Sequence, residues 1–248
     1  MLPILNIGPL ALPTYPFLLL VAFWSGTWLA AQQAKRFNFD GDYLYNAAIY
    51  GLIAGLIGAR LWFVLEHWEN YAPNISQAFS LSRNAMSVYE GVVFALLAVL
   101  IYTQYYKIPL GIFCDAAAPG MVLALIITQI GGFLGDLTLG QPTTMPWGIP
   151  IASVTRHPVQ LYQTAGCGII LLILFLIRHQ CPWSGFQFWL FVALYSLNRL
   201  ILEIFVANPE TIGDGFLAMQ VFSWAMLIVA LAVMAYNFRM DSRKNDLS

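Results

Sequence analysis

The sequence predicts an all-α polytopic membrane protein with seven transmembrane helices, its N-terminus outside and its C-terminus cytoplasmic. Three observations predict it. Of 248 residues, 60% are hydrophobic, 15% aromatic and only 9% charged, with a mean hydropathy of +0.72, a balance far from that of a soluble domain. Charge-free runs of about 20 residues, the length that spans a bilayer, recur along the chain. The basic residues divide between alternate loops, as the positive-inside rule requires.

The first span covers roughly 13–34. No basic stretch lies within the opening MLPILNIGPL, so this run reads as a true helix rather than a cleaved leader; Tyr15 opens it. The second, about 47–66, carries Arg60 and, every fourth position, Gly51, Gly55 and Ala59, the spacing that lets helix backbones approach closely in lipid. The third, about 88–106, starts beside Ser87, Tyr89 and Glu90. The fourth, about 115–135, holds Gln129 near its end with Gly131, Gly132 and Gly135, which pack closely or break the helix. The fifth, about 160–178, follows the polar stretch TRHPVQLYQ; Pro158 suits a first helical turn, where its missing N–H would be unpaired anyway. The sixth, about 185–206, sets Tyr195, Arg199 and Glu203 four apart on one face. The seventh, about 216–238, leads into a basic tail with Arg239, Arg243 and Lys244.

Residues 1–248 read as a single integral-membrane domain, without internal repeat or low-complexity tract. Lys35, Arg36, Lys107, Arg178 and the basic tail fall on one side, and only Arg83 and Arg156 on the other. The longer loops, about 67–87 and 136–159, are therefore expected outside. That topology brings polar residues of six helices to one depth. Arg60 and Arg199 each lie about 10 Å below the outer end of their helix at ~1.5 Å per residue. Tyr15, Tyr89, Glu90, Gln129, Arg156, His157, Gln160 and Tyr162 belong to the same level.

Ionisable side chains within spans are expensive, and face the bundle interior or a wet cavity. Glu203 can simply neutralise Arg199 for burial, and Arg60 can snorkel to the interface. Alternatively, two guanidiniums at headgroup depth can grip a phosphate. His157 can exchange a proton near neutral pH or serve only as a hydrogen-bonding tether. The net charge of −1 excludes a nucleic-acid partner, since no basic stripe meets a phosphate backbone. The three cysteines have neither metal-ligand spacing nor an even count. No GxSxG or HExxH motif and no carboxylate cluster for Mg²⁺ is present, so no metal or other cofactor is indicated. Spacing alone thus describes an outward-facing membrane pocket for an anionic headgroup, and leaves enzyme, transporter and receptor open.

The motifs carry more. IGPLALPTY ending at Tyr15, GARL at Gly58 to Leu61, GQPTTMPWG at Gly140 to Gly148, HPVQLY at His157 to Tyr162, and Tyr195, Arg199 and Glu203 stand in order across nearly the whole chain. In these the chain resembles the prolipoprotein diacylglyceryl transferase family. The resemblance implies transfer of the diacylglyceryl group of phosphatidylglycerol to the lipobox cysteine of a prolipoprotein signal peptide, in the bacterial cytoplasmic (inner) membrane, with the site toward the outer leaflet. It implies catalytic roles for Arg199, Tyr89, Glu203 and His157. Binding of phosphatidylglycerol or another anionic phospholipid would fall to Arg60, Tyr15, Gln129, Arg156, Gln160, Tyr162 and Tyr195. The nucleophile is the substrate thiolate, and the arginines suit the departing glycerol phosphate.

Departures from the family pattern bear on the same site. Gln129 and Gly132 stand where the family has arginine and asparagine, Glu90 replaces a glycine, and Leu137 stands at an acidic position. Glutamine supplies neither the permanent charge nor the bidentate fork of arginine. Two other readings are therefore carried forward: a related lipid-modifying transferase with another acceptor, and an inactive lipid-binding paralogue.

Overall fold

The computed structural model describes residues 4–8, 10–76, 86–135, 139–151, 153–207, 209, 211–212 and 215–246. Leu137 and Arg83 lie outside the described residues. A short hairpin of β1 (Ile4–Ile7) and β2 (Leu10–Pro13) leads into α1 (Thr14–Ala34). Pro13 precedes the helix with extended backbone, and Asn38, in the left-handed region at φ 55°, ends the short 3₁₀ turn that follows it. Then come α2 (Asp42–Glu66), the single turn α3 (Trp68–Tyr71), α4 (Val88–Tyr105) and α5 (Leu110–Leu134). A second hairpin, β3 (Ile149–Ile151) with β4 (Val154–Arg156), precedes α6 (Val159–Ile177) and α7 (Phe186–Leu202). A third pairs β5 (Thr211–Ile212) with β6 (Phe216–Leu217) ahead of α8 (Ala218–Asp246).

Among the described residues, seven helices are long and apolar enough to cross a membrane. Their outward faces carry Trp24, Trp28, Ile57, Ile101, Ile169, Leu176 and Ile228, each more than half exposed. Such a surface suits hydrocarbon, where only helices or closed barrels satisfy their backbone.

Three helix boundaries differ from those expected. α2 starts at Asp42 and α5 at Leu110, each five residues early, and α8 continues to Asp246. The cause is common to all three. Hydropathy marks the lipid-buried length, whereas helical hydrogen bonding continues through polar turns such as Asp42–Asn46. The opposite difference occurs at the sixth span, where α7 stops at Leu202 and Glu203–Phe205 tighten into a 3₁₀ turn.

α5 is the central helix and packs along α1, α6 and α7. Its contact with α1 is backbone to backbone: a Cβ at Gly120 would collide with the Gly26 carbonyl, and one at Gly26 would lie 2.7 Å from the Gly120 carbonyl. The α2–α4 pair closes in the same way, a Cβ at Gly91 falling 2.8 Å from the Ala59 Cβ. Without a hydrophobic drive between helices in lipid, such close approach supplies the contact energy. α8 packs mainly on α7. Two apolar clusters fill the bundle, one around Ala34, Leu44, Tyr102 and Phe113, the other around Val122, Cys167, Leu174 and Phe191.

The start of α7 is tied down by a buried acid. Asp115 of α5 is 1% exposed and accepts the backbone N–H groups of Gly185 at 2.6 Å and Phe188 at 3.0 Å. These are orphan donors at a helix N-terminus, where negative charge is favourable. With that end anchored, α7 presents Arg199 in its last turn at the opposite end.

Candidate functional site

The site forms where α5 ends, α6 begins and α7 ends. Gln129 comes from α5, Val159, Gln160 and Gln163 from the first turns of α6, and Arg199 from α7. Glu203 and Val206 follow from the 3₁₀ turn and the extended exit. Together they line a cavity of ≈ 170 Å³. Gln160 and Gln163 are three apart and so share a helix face; they are only 5% and 4% exposed.

Arg199 Nη2 donates to Glu203 Oε2 at 2.9 Å, one helical turn away. The pair is largely buried, with side chains 17% and 5% exposed. A guanidinium has five N–H donors, so one bond to Glu203 leaves most of the fork for other work. Arg199 also borders a second cavity of ≈ 200 Å³, lined by Tyr195 and Ser196 of α7 and Met219, Phe222 and Ser223 of α8. This second space is chiefly apolar in character, since the Ser223 hydroxyl is already bonded to the Met219 carbonyl at 2.6 Å. Arg199 therefore stands between an amide-rich cavity and a greasier one.

The loop before α6 forms a roof over Val159 and Val206, two of the cavity walls, without lining the cavity itself. The Gln141 N–H donates to the Phe205 carbonyl at 2.8 Å, and Ala207 N–H donates to the Leu139 carbonyl at 2.9 Å. On its other edge His157 N–H donates to the Gln141 carbonyl at 3.0 Å. Arg156 Nη1 donates to the Gly140 carbonyl at 3.0 Å, so its charge is spent on the loop. Gly140 is pressed so closely to the His157 carbonyl that no side chain fits.

Side chains complete the roof. Trp147 Nε1 donates to the Tyr162 hydroxyl at 2.8 Å, and that hydroxyl lies 3.1 Å from His157 Nδ1. Indole only donates, so Tyr162 accepts from Trp147 and its own proton is free to point at His157. Phe205 packs edge-on against both rings, 4.9 Å from His157 and 5.9 Å from Tyr162. His157, Tyr162, Trp147 and Phe205 thus form one aromatic clamp joining the outer loop to the exit of α7.

The residues expected at one depth do not all meet. Arg199, Glu203, Gln129 and Gln160 share the first cavity, and Tyr195 shares the second. Tyr162, expected to project inward with Gln160, turns to the loop instead, because two residues along a helix is about 200° of rotation at ~3.6 residues per turn. Arg60 lines neither cavity; it is 9% exposed, with its guanidinium 5.3 Å from the centre of the Tyr71 ring. Tyr89 is 73% exposed at the head of α4. Tyr15 packs toward Gly131 of α5, one residue from Gly132. Gln163 is the site residue that motif reading missed. Its spacing from Gln160 was the available signal.

Seven apolar spans, among the described residues, with two cavities that share Arg199 define a multi-pass membrane protein. A family model described as prolipoprotein diacylglyceryl transferase matches residues 3–236. The chain is 30% identical to a phosphatidylglycerol–prolipoprotein diacylglyceryl transferase of Clostridioides difficile, over 94% of this chain and 93% of that one. It is 32% identical to a protein of the same name from Campylobacter jejuni subsp. doylei, over 83% and 82% of the two chains. It belongs to the prolipoprotein diacylglyceryl transferase family.

Proposed function

We propose that this protein transfers the diacylglyceryl group of phosphatidylglycerol to the lipobox cysteine thiol of prolipoproteins, in the bacterial inner membrane and on its outer leaflet. The observation that carries this reading is the position of Arg199, shared by an amide-rich cavity and an apolar one. An amphiphile lying across it puts its phosphate at the guanidinium, its polar head among the glutamines and its acyl-bearing part toward α8.

In the reaction, the thiolate sulfur bonds to the glyceryl carbon bearing the phosphate ester. That carbon–oxygen bond breaks, and glycerol phosphate leaves with the electron pair, while the thiol proton passes to a base. Arg199 stabilises charge on the leaving phosphate, and Glu203 holds the guanidinium in place. Tyr89 and Arg60 lie outside the cavities, and this mechanism assigns them no step. Expression in cells depleted of their own transferase is the direct test. Restored growth and lipid-modified prolipoprotein are expected; stable membrane insertion without modification would overturn the assignment.

A lipid-binding paralogue is the second reading. Gln129, where the family carries arginine, leaves Arg199 as the one cation lining the first cavity among the described residues, and Glu203 already engages it. Phosphatidylglycerol binding without transfer is the result that would favour this reading.

The proposed roof role makes a prediction for His157. The Asn variant keeps a partner for the Tyr162 hydroxyl but cannot serve as a base near neutral pH. His157→Asn should retain near-normal turnover, whereas His157→Ala should lose about tenfold, the worth of one well-placed hydrogen bond. Equal and complete loss in both, with the fold intact, would instead make His157 the acid–base group.

Topology has its own prediction, from the division of basic residues. In single-cysteine variants, Asn74→Cys should react with an impermeant maleimide on intact cells and Ser242→Cys should not. Labelling of Ser242→Cys from outside would reverse the assignment.

A further inference from the structure

The cavity beside Arg199 is lined chiefly by polar side chains. Gln163 is 4% exposed, lines the cavity, and makes no side-chain hydrogen bond among the described residues. Its carboxamide thus faces the cavity without a protein partner, and polar groups in such a place are completed by water or ligand. Gln129 adds a second carboxamide to the lining, while Gln160 on the same wall already has a partner and Glu203 is paired with Arg199. Gly132 keeps this wall open, since a Cβ there would meet only the Gln160 Cγ, at 3.9 Å.

The donors and acceptors present select among ligand chemistries. A phosphate diester only accepts; it suits the guanidinium but leaves the Gln163 amide carbonyl unanswered. An ammonium only donates; it would leave the amide N–H groups unanswered and meet repulsion from Arg199. A hydroxyl both donates and accepts, as does each carboxamide.

We propose that Gln163 is a specificity-determining residue that hydrogen-bonds headgroup hydroxyls, so that the site selects a glycerol-headed anionic phospholipid over one of equal charge without hydroxyls. This rests on the phosphatidylglycerol reading above and divides its labour: Arg199 meets the phosphate, and Gln163 reads the polyol. Selectivity at the headgroup then comes from a neutral side chain rather than from additional charge.

The test uses the full-length protein in nanodiscs, with phosphatidylglycerol and phosphatidylpropanol of matched acyl chains as probes. The wild-type protein should bind phosphatidylglycerol about tenfold more tightly, as one or two added hydrogen bonds predict. Gln163→Met keeps the chain length and removes only hydrogen bonding. It should abolish most of that preference by weakening phosphatidylglycerol and leaving phosphatidylpropanol unchanged. Equal wild-type affinity for the two lipids would overturn the proposal without reference to any variant, as would tighter binding of phosphatidylethanolamine. So would a Gln163→Met protein that keeps the wild-type preference or weakens both lipids equally. Headgroup preference without thiol modification would defeat the transferase reading alone, and modification without headgroup preference would defeat this proposal alone.

Discussion

Replacing Arg199 with alanine is expected to lower diacylglyceryl transfer by at least about 10²-fold, the scale of losing a preorganised charge stabiliser. The same change strands Glu203, which is 4% exposed, and removing one partner of a buried pair costs about 3–5 kcal/mol. Activity and stability must therefore be read separately. The double change Arg199→Ala with Glu203→Gln removes the stranded charge and should recover much of the thermal stability in detergent without recovering transfer. Arg199→Lys keeps a cation but loses the planar fork, and should fall about tenfold or more, since lysine does not replace bidentate geometry. If the double variant regained both stability and turnover, Arg199 would serve burial alone and the phosphate role would be lost.

Gly140→Val should cost nearly as much in activity, from outside the cavity. Gly140 sits on the His157 carbonyl with no room for a Cβ, and it pairs with Val206 in an isolated bridge. A valine must push the 139–142 segment away from the exit of α7. The bonds from Gln141 to Phe205 and from Ala207 to Leu139 would lengthen or break, at about 0.5–1.5 kcal/mol each. Val206 and Glu203, both walls of the first cavity, lie on that exit. Turnover should drop about 10²-fold, comparable with misplacing groups by an ångström, while the seven-helix bundle stays folded. Melting temperature within a few degrees of wild type beside a large loss of turnover is the signature. Wild-type turnover in Gly140→Val would show that the roof does not shape the site.

Much of this protein is legible in its sequence. Seven apolar runs became seven helices because a bilayer leaves the backbone no other way to bond, and the period-four glycines became the close contact of α2 with α4. The grouping of Tyr195, Arg199 and Glu203 was equally plain, because four-residue spacing on a helix is a geometric statement. The limits have a physical origin too. Depth in the membrane is set by position along each helix, and residues come to one level when topology is known. Which of those residues touch depends on each helix's rotation about its own axis and on its neighbours, and side-chain packing sets both. Arg60 and Arg199 were matched in depth, yet α2 packs with α4 and α1 whereas α7 packs with α5, α6 and α8. The two arginines were thereby sent to different surroundings, one over the Tyr71 ring and one to Glu203. Tyr162 turned to the roof and Gln163 to the cavity for the same reason, a single residue of helical rotation. Helix number and the Arg199–Glu203 pair were determined by the sequence itself. The partition into an amide-lined cavity, an apolar cavity and an aromatic roof was decided by tertiary packing, since only packing chooses which face of each helix looks inward.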